Sequence, residues 1–511
     1  MAENNYIRES YLYQILCAFW TRLKDLYHQS AVCTGCLFIL SWLGDRTRES
    51  VIMSFFNQDG VFASAWKDSL LCRALTWAFN LPARVLNLWY QAWRATFDDS
   101  FFARLIFQFG HETAIAESWL IMALWVIPYA AWNNAYSLAA FLFLLLLFYA
   151  GAMRRENFKI HLESIGFYPT AFFILIFIAA AWSYQSNLSW RFLIYHISAA
   201  LCVIVTVSAA RNAYDLKRLC GGALFVTAVS SGYAFFQRVH GVAINRAYVD
   251  LNLNPDMPGR VDSFYDNPNT FGAVLVMLLP LTLALALCAK KLIIRLLAWC
   301  VWLAGVIALV MTYSRAGYVG FALSVMIIIL LLKPDLMPVL IALCVIAIPF
   351  LPSAVWTRIL TIVNFSDTTT SSRFPLYQTA LRVIRRSPIT GAGLGVDAVQ
   401  KYVKDYNLYR GAAVFIHSHN LYLQIWLETG LFGLVILLAA LFRNVKNGLQ
   451  AVRDNLTAYP ARGMTCAATA GLCGVALCGM SDYIWHYPRV MCIFWFVFAM
   501  TLAGVKIYKS N

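Results

Sequence analysis

Residues 270–312 read TFGAVLVMLLPLTLALALCAKKLIIRLLAWCVWLAGVIALVMT. Two apolar runs, near 270–289 and 293–312, flank a hinge carrying Lys290, Lys291 and Arg295. Each run matches the roughly 20 residues a helix needs to cross about 30 Å of hydrocarbon. Backbone groups in lipid have no water to bind, so each run is expected to close its own hydrogen bonds as a helix.

Working outward, the same grammar repeats. Apolar runs fall near 116–132, 135–152, 168–184, 190–209, 219–237, 316–332, 336–352, 419–441, 464–481 and 488–506. With the opening pair they make about twelve expected spans. The 511 residues are 61% hydrophobic and 13% charged, with a mean hydropathy of +0.64. Soluble domains lie nearer about 45–50% apolar and about 25% charged, which excludes a soluble multidomain chain. The fold class expected is therefore an all-α polytopic membrane protein.

The net charge of +15 does not point to nucleic acid, because the basic residues are spread between the apolar runs. One set of short loops holds Arg154, Arg155, Lys159, Arg211, Lys217, Arg218, Lys290, Lys291, Arg295, Lys333, Arg443, Lys446, Arg453, Arg462, Lys506 and Lys509. The opposite loops offer little beyond Arg191, Arg315 and Arg489. The positive-inside rule makes the first set cytoplasmic and places both termini inside. Two longer segments, about 238–269 and 353–418, then lie outside. The thirteen cysteines sit mostly in apolar runs, and Cys33-Thr-Gly-Cys36 has no second pair, so packing cysteines are expected rather than disulfides or a metal site.

Residues 1–115 differ from the rest of the chain. Val85, Leu88, Trp89 and Trp93 share one helical face, as do Phe101, Leu105 and Phe109, with Arg84, Arg94 and Arg104 between them. Such helices lie in a headgroup plane, so 1–115 is expected to be an interfacial amphipathic extension and 116–511 the membrane domain.

The polar chemistry collects on the outer side. Segment 353–418 is too long for an idle connection. In it, Thr370, Ser371 and Ser372 are placed to cap a helix whose stripe is Leu376, Ala380, Leu381 and Ile384. Arg373 stands at the start of that helix, with Arg382, Arg385 and Arg386 off the stripe. Gly391, Gly393 and Gly395 allow a sharp turn, for which a plain loop is the expected reading. Arg315, between two spans joined by almost no loop, is suited to an anionic partner, since guanidinium donates two parallel hydrogen bonds and stays charged. His419 is expected at the outer mouth of a span, in register with Tyr422, where an imidazole either simply sits at the interface or serves as a general base. On a helix, His417 would point elsewhere, which argues against a shared metal. Glu428, roughly 13 Å deeper, is expected to make a structural hydrogen bond to another helix.

His419-Asn420, nine residues, then Gly430-Leu431-Phe432-Gly433 resembles the H-N-x9-G-x-x-G signature of the O-antigen ligases. DNPNTFGAVLVMLLPL, YSRAGYVG and SSRFPLYQTALRVIRRSPITGAGLG resemble further elements of the O-antigen ligase and polymerase superfamily, in the same order across about 260–440. The span count extends the likeness to about 116–508. Leu434-Val435 stands where ligases can carry Thr-Thr, so ligase and polymerase both stay open. The extension 1–115 lies outside the likeness.

That resemblance implies a GT-C-type glycosyltransferase of the bacterial inner membrane, working on the extracytoplasmic face without metal or cofactor. It implies an undecaprenyl-diphosphate-linked glycan as donor, and lipid A core or another lipid-linked glycan as acceptor. Arg315 and Arg373 would hold the diphosphate and His419 would activate the acceptor hydroxyl. Arg260, Asn269, Arg382, Asn420 and Tyr422 are the further substrate-binding candidates. Other partners implied are the lipid bilayer and polysaccharide-assembly proteins, with no nucleic acid. The alternative from another class is a solute or anion transporter, which tends to show inverted repeats and broken helices at mid-membrane; no repeat is visible in the sequence. A non-catalytic assembly scaffold is the third reading.

Overall fold

The computed structural model describes residues 10–31, 33–35, 38, 41–42, 45–46, 50, 61–155, 159–245, 256–363, 371–411, 415–454 and 460–510. Among these residues there is helix and loop and no strand. Cys36 and Thr370 lie outside them. The chain divides into two compact units, 1–60 with 329–351, and 61–328 with 352–511. In the first, α1 (Tyr11–His28) packs on the helix Met337–Ala347, and Lys24 reaches Asp335 at 3.0 Å.

The second unit carries the rest. Its N-terminal helices are α2 (Leu70–Ala92), α3 (Phe101–His111) and α4 (Thr113–Leu124). Then come α5 (Ala135–Met153), α6 (Phe167–Ala181), α7 (Ser186–Ala209) and α8 (Ala213–His240). The apolar runs at 270–312 form α9 (Pro268–Cys288) and α10 (Leu292–Met311), followed by α11 (Arg315–Leu332). The described part of segment 353–418 folds as α12 (Ser353–Leu360), α13 (Phe374–Arg386) and α14 (Val396–Asp405). The chain closes with α15 (Leu421–Arg453), α16 (Ala461–Cys478) and α17 (Pro488–Ser510).

Nine described helices are long and apolar enough to cross a bilayer: α5, α7 to α11 and α15 to α17. The other three expected spans correspond to shorter apolar helices, α4, α6 and Pro334–Phe350. Helices α9 and α17 are buried along nearly all their length, whereas only about a quarter of α10 and of α11 is buried. The exposed residues on α10 include Leu292, Leu296, Leu303 and Ile307, an apolar stripe that suits lipid rather than water. Between helices the contacts use small residues. A Cβ on Gly110 would sit 2.4 Å from the Gly151 nitrogen, so α3 and α5 touch backbone to backbone.

Helix α2 is amphipathic. It buries Cys72, Asn80, Ala83 and Tyr90, and exposes Val85, Leu88 and Trp89, followed by Trp93. Phe101, Leu105 and Phe109 of α3 are exposed as well. Helices α13 and α14 pack apolar faces together and onto Leu427 of α15. Two expectations for α13 need correction. The helix starts at Phe374, so its cap position falls on Arg373 and not on the preceding serines. The buried stripe is Ala380, Val383 and Ile384 with Leu376 packed beside it, while Leu381 is 47% exposed. Val383 follows Ala380 at i+3, and Leu381 at i+1 turns to another face.

Candidate functional site

Helix α15 begins one residue after Asn420, whose side-chain oxygen accepts the Leu423 N–H at 2.9 Å. His417 and His419 therefore precede the helix, and the expected helical register with Tyr422 does not hold. His419 has φ +47°, a left-handed backbone that is uncommon for a non-glycine residue. This reversal folds the two imidazoles together, with ring centroids 4.1 Å apart, and lets the His419 N–H donate to His417 Nδ1 at 3.1 Å. His486, in the turn before α17, lies 4.8 Å from His417, ring centre to ring centre. Among the described residues no three His, Cys, Asp or Glu side chains converge to hold a metal.

The decisive partner of His419 is Asp482, in the turn after α16. Its Oδ1 lies 3.1 Å from His419 Nδ1. Burial raises the Asp482 carboxyl, but the hydrogen bond and charge of His419, with the charge of Arg373, outweigh it and hold the group well below the usual carboxylate range. An ionised carboxylate only accepts, so the network assigns the proton to Nδ1 and leaves the Nε2 lone pair for a substrate. His417 behaves oppositely. Burial, then the charges of His419 and His486, bring it down to about 3, so it stays neutral. The pair can thus act as an oriented general base beside an uncharged spacer.

The charge of Arg373 reaches this corner. Arg373 exerts its charge on Asp482, on His417 and on Tyr377, which lies one turn along α13 from it. Arg315 opens α11 and donates to the Thr361 carbonyl at 2.7 Å. Its neighbour Ala316 accepts from Cys478 Sγ at 3.3 Å, and the Cys478 carbonyl accepts from Asp482 N at 3.1 Å. Leu421 N in turn donates to Gly479 O at 2.8 Å. The start of α11, the end of α16 and the start of α15 therefore meet at one corner, which roots Arg315, Asp482 and His419 together. Arg260 is buried; it donates to Thr312 O at 2.7 Å and to Asn269 Oδ1 at 2.5 Å. Arg358 reaches the Tyr313 carbonyl from α12 at 3.4 Å. Both arginines thus bind the turn that launches α11.

The other candidates take supporting places. Asn420 caps α15 with one end of its amide and donates to Met480 O with the other, at 2.8 Å. Tyr422 donates to Ala476 O at 2.7 Å, which ties α15 to α16. Arg382 donates to Leu408 O at 2.8 Å, beyond α14. Glu428 is buried and makes structural bonds, though to its own helix, a turn and a loop rather than to another helix as expected. It accepts from Gln424 and Tyr483 on one oxygen and from Gly395 N on the other, at 2.9, 3.2 and 3.0 Å.

Those bonds belong to a break in α15. Gly430 has φ +71°, and a Cβ there would lie 1.8 Å from Ile389 O. The loop 387–395 enters the break: Ala392 N donates to Leu427 O at 2.6 Å, and Leu431 N donates to Pro388 O at 2.9 Å. The glycines of GAGLG thus bring the backbone close to α15 itself. Sequence reasoning missed Asp482 and Tyr377. A lone carboxylate between two spans on the side with few charges was the available signal for the first, and the i, i+4 spacing from Arg373 for the second.

No curated protein matches the chain. Residues 299–438, which run from α10 through the outer segment to His419 and the break in α15, match the family described as O-antigen ligase. Over that stretch, about a quarter of the chain, the protein is similar to the O-antigen ligase superfamily.

Proposed function

We propose that the protein transfers or polymerises an undecaprenyl-diphosphate-linked glycan on the extracytoplasmic face of a bacterial inner membrane. The observation that carries this reading is the His419–Asp482 pair within reach of the Arg373 charge, at the corner from which Arg315 also springs. Nε2 of His419 takes the proton of the acceptor hydroxyl as that oxygen attacks the anomeric carbon. The bond from that carbon to the diphosphate oxygen breaks in the same step, and undecaprenyl diphosphate leaves. Negative charge gathers on the leaving group, and Arg315 and Arg373 stabilise it as fixed donors in a partly water-excluded corner. Asp482 keeps the imidazole in the productive tautomer and steadies the imidazolium that forms. One displacement needs a base and a clamp for the leaving group, without a carboxylate nucleophile.

Arg260 and Asn269 set the turn that aims Arg315, and Asn420, Tyr422 and Arg382 shape the acceptor side. Twelve spans, both termini inside and the outer segment 353–418 over the site complete the arrangement. Surface glycan from a deletion strain tests the reading. Single repeats on the acceptor identify a lost polymerase, and long chains left on the lipid carrier identify a lost ligase. Normal glycan in that strain, or full rescue by a well-expressed His419→Ala variant, removes the assignment.

A further inference from the structure

A second polar region lies at the far end of α17. His486 stands just before that helix, whereas Lys506 and Ser510 are near its other end, roughly 30 Å away at helical rise. A cavity of about 280 Å³ is lined there by Lys159, His161, Glu163, Ser208, Arg211 and Lys506, among others. A neighbouring cavity of about 360 Å³ lies between α2 and the end of α5 and is lined by Asn80, Arg84, Asn87, Leu88, Arg155 and Lys159. Lys159 lines both, so the two spaces meet at its side chain.

The charge in this region is one-sided. Among the described residues, the cavity against α2 has three cations and no carboxylate in its lining. In the other, the one lining carboxylate is Glu163, 3.5 Å from His161, and Lys506 donates to the Val207 carbonyl. Arg211 is held by His111 O at 2.7 Å and by Asp215 at 3.7 Å. The floor is fixed: Asn80 exchanges two hydrogen bonds with the Ile160 backbone at 2.8 and 2.9 Å, and Asn87 donates to Met153 O at 2.6 Å. Met153 and Ile160, on either side of Arg155 and Lys159, are therefore stapled to α2. Apolar surface borders the cations directly. Leu88 lines the cavity while 72% exposed, and Leu81, Val85 and Trp89 continue an uncovered apolar face along α2.

We propose that these adjacent cavities bind the phosphodiester headgroup of an anionic phospholipid, with Arg84, Arg155 and Lys159 on the phosphate and the acyl chains against the apolar face of α2. Guanidinium and ammonium groups converging on a fixed concave floor suit a phosphate oxyanion. Basic pockets between helices on the cytoplasmic side select anionic lipid headgroups. Volumes near the low end of the roughly 300–1,000 Å³ typical of small-molecule sites fit a headgroup rather than a whole lipid. A soluble phosphate would have no use for the adjoining apolar face, which favours the lipid as the source.

The test is lipid retention by the purified full-length chain, read by native mass spectrometry in detergent. The probes are phosphatidylglycerol, phosphatidylcholine, inorganic phosphate and glycerol 3-phosphate. Wild type should keep phosphatidylglycerol at least about tenfold better than phosphatidylcholine, with the preference falling as salt rises. Arg84→Gln, Arg155→Gln and Lys159→Gln combined should erase that preference; all three side chains are exposed, so folding should be kept. Lys290→Gln with Lys291→Gln, another basic loop, should leave it intact. Equal retention of both lipids, or an unchanged preference in the triple variant, overturns the proposal. Complete displacement of the lipid by millimolar inorganic phosphate or glycerol 3-phosphate also overturns it, in favour of a soluble anion. None of these readings depends on glycan transfer.

Discussion

His419 is set by its partners more than by its position in a span. Its left-handed backbone, its close contact with a neutral His417 and its bond to Asp482 leave one ring nitrogen open. Asp482→Asn keeps shape and removes the anion, so transfer should slow by about 10²-fold or more at normal expression. An unchanged rate of glycan transfer by that variant would discard Asp482 as the orienting group. Arg315→Lys keeps charge and loses the planar fork, so donor turnover should fall by at least about tenfold with little change in thermal stability. His417 carries a pH signature. Its folded pKa of about 3 lies below its ordinary value of 6.5, so the unfolded chain binds the proton more readily. Stability from this group is complete above about 6.5 and is lost as pH falls toward 3. The groups facing it are His419, His486, Asp482 and Arg373. A melting series between pH 7 and 4.5 should be flatter for His417→Asn than for wild type. His419, Arg315 and Arg373 were legible in the sequence because each stands at a motif or a span boundary. Asp482 was not, since its pairing joins residues 63 apart through the fold.

Helix α15 explains the spacing between His419-Asn420 and Gly430. Asn420 fixes where the helix starts, and about two and a half turns later the glycine breaks it so that loop 387–395 can enter. Glu428 then fastens Gly395 to the same helix, which couples the outer segment to the helix that bears the site. Gly430→Ala forces φ +71° on a residue with a Cβ and drives that Cβ into Ile389 O. The melting temperature should drop, with a loss of roughly 2 kcal/mol or more, and proteolysis within 387–395 should accelerate. A variant as stable and as resistant as wild type would show that the loop does not depend on the break. The periodicity of α13 was readable to within one stripe position, because Ala380 and Ile384 recur at i+4. The entry of GAGLG into α15 was not, because the sequence offers turn glycines without saying what they approach.

The spans were legible as a pattern, since nine long apolar helices and three shorter ones fall where the apolar runs do. Runs that share a cap or a break with a loop were harder to bound: α15 extends to Arg453, well past the apolar residues. Orientation rests on charge, and it is tested by labelling in a cysteine-free background. Lys404→Cys in the outer segment should react with a membrane-impermeant reagent on intact spheroplasts, and Lys217→Cys only after lysis. The reverse pattern would invert the topology and put the His419 corner inside. Chemistry at that corner has its most direct readout in proteoliposomes supplied with a lipid-linked glycan, by following release of undecaprenyl diphosphate. Wild type should release it in step with glycan transfer, and His419→Ala should do so at least about 10²-fold more slowly. Release at the wild-type rate by His419→Ala, or solute uptake by wild type without any release, would contradict the account.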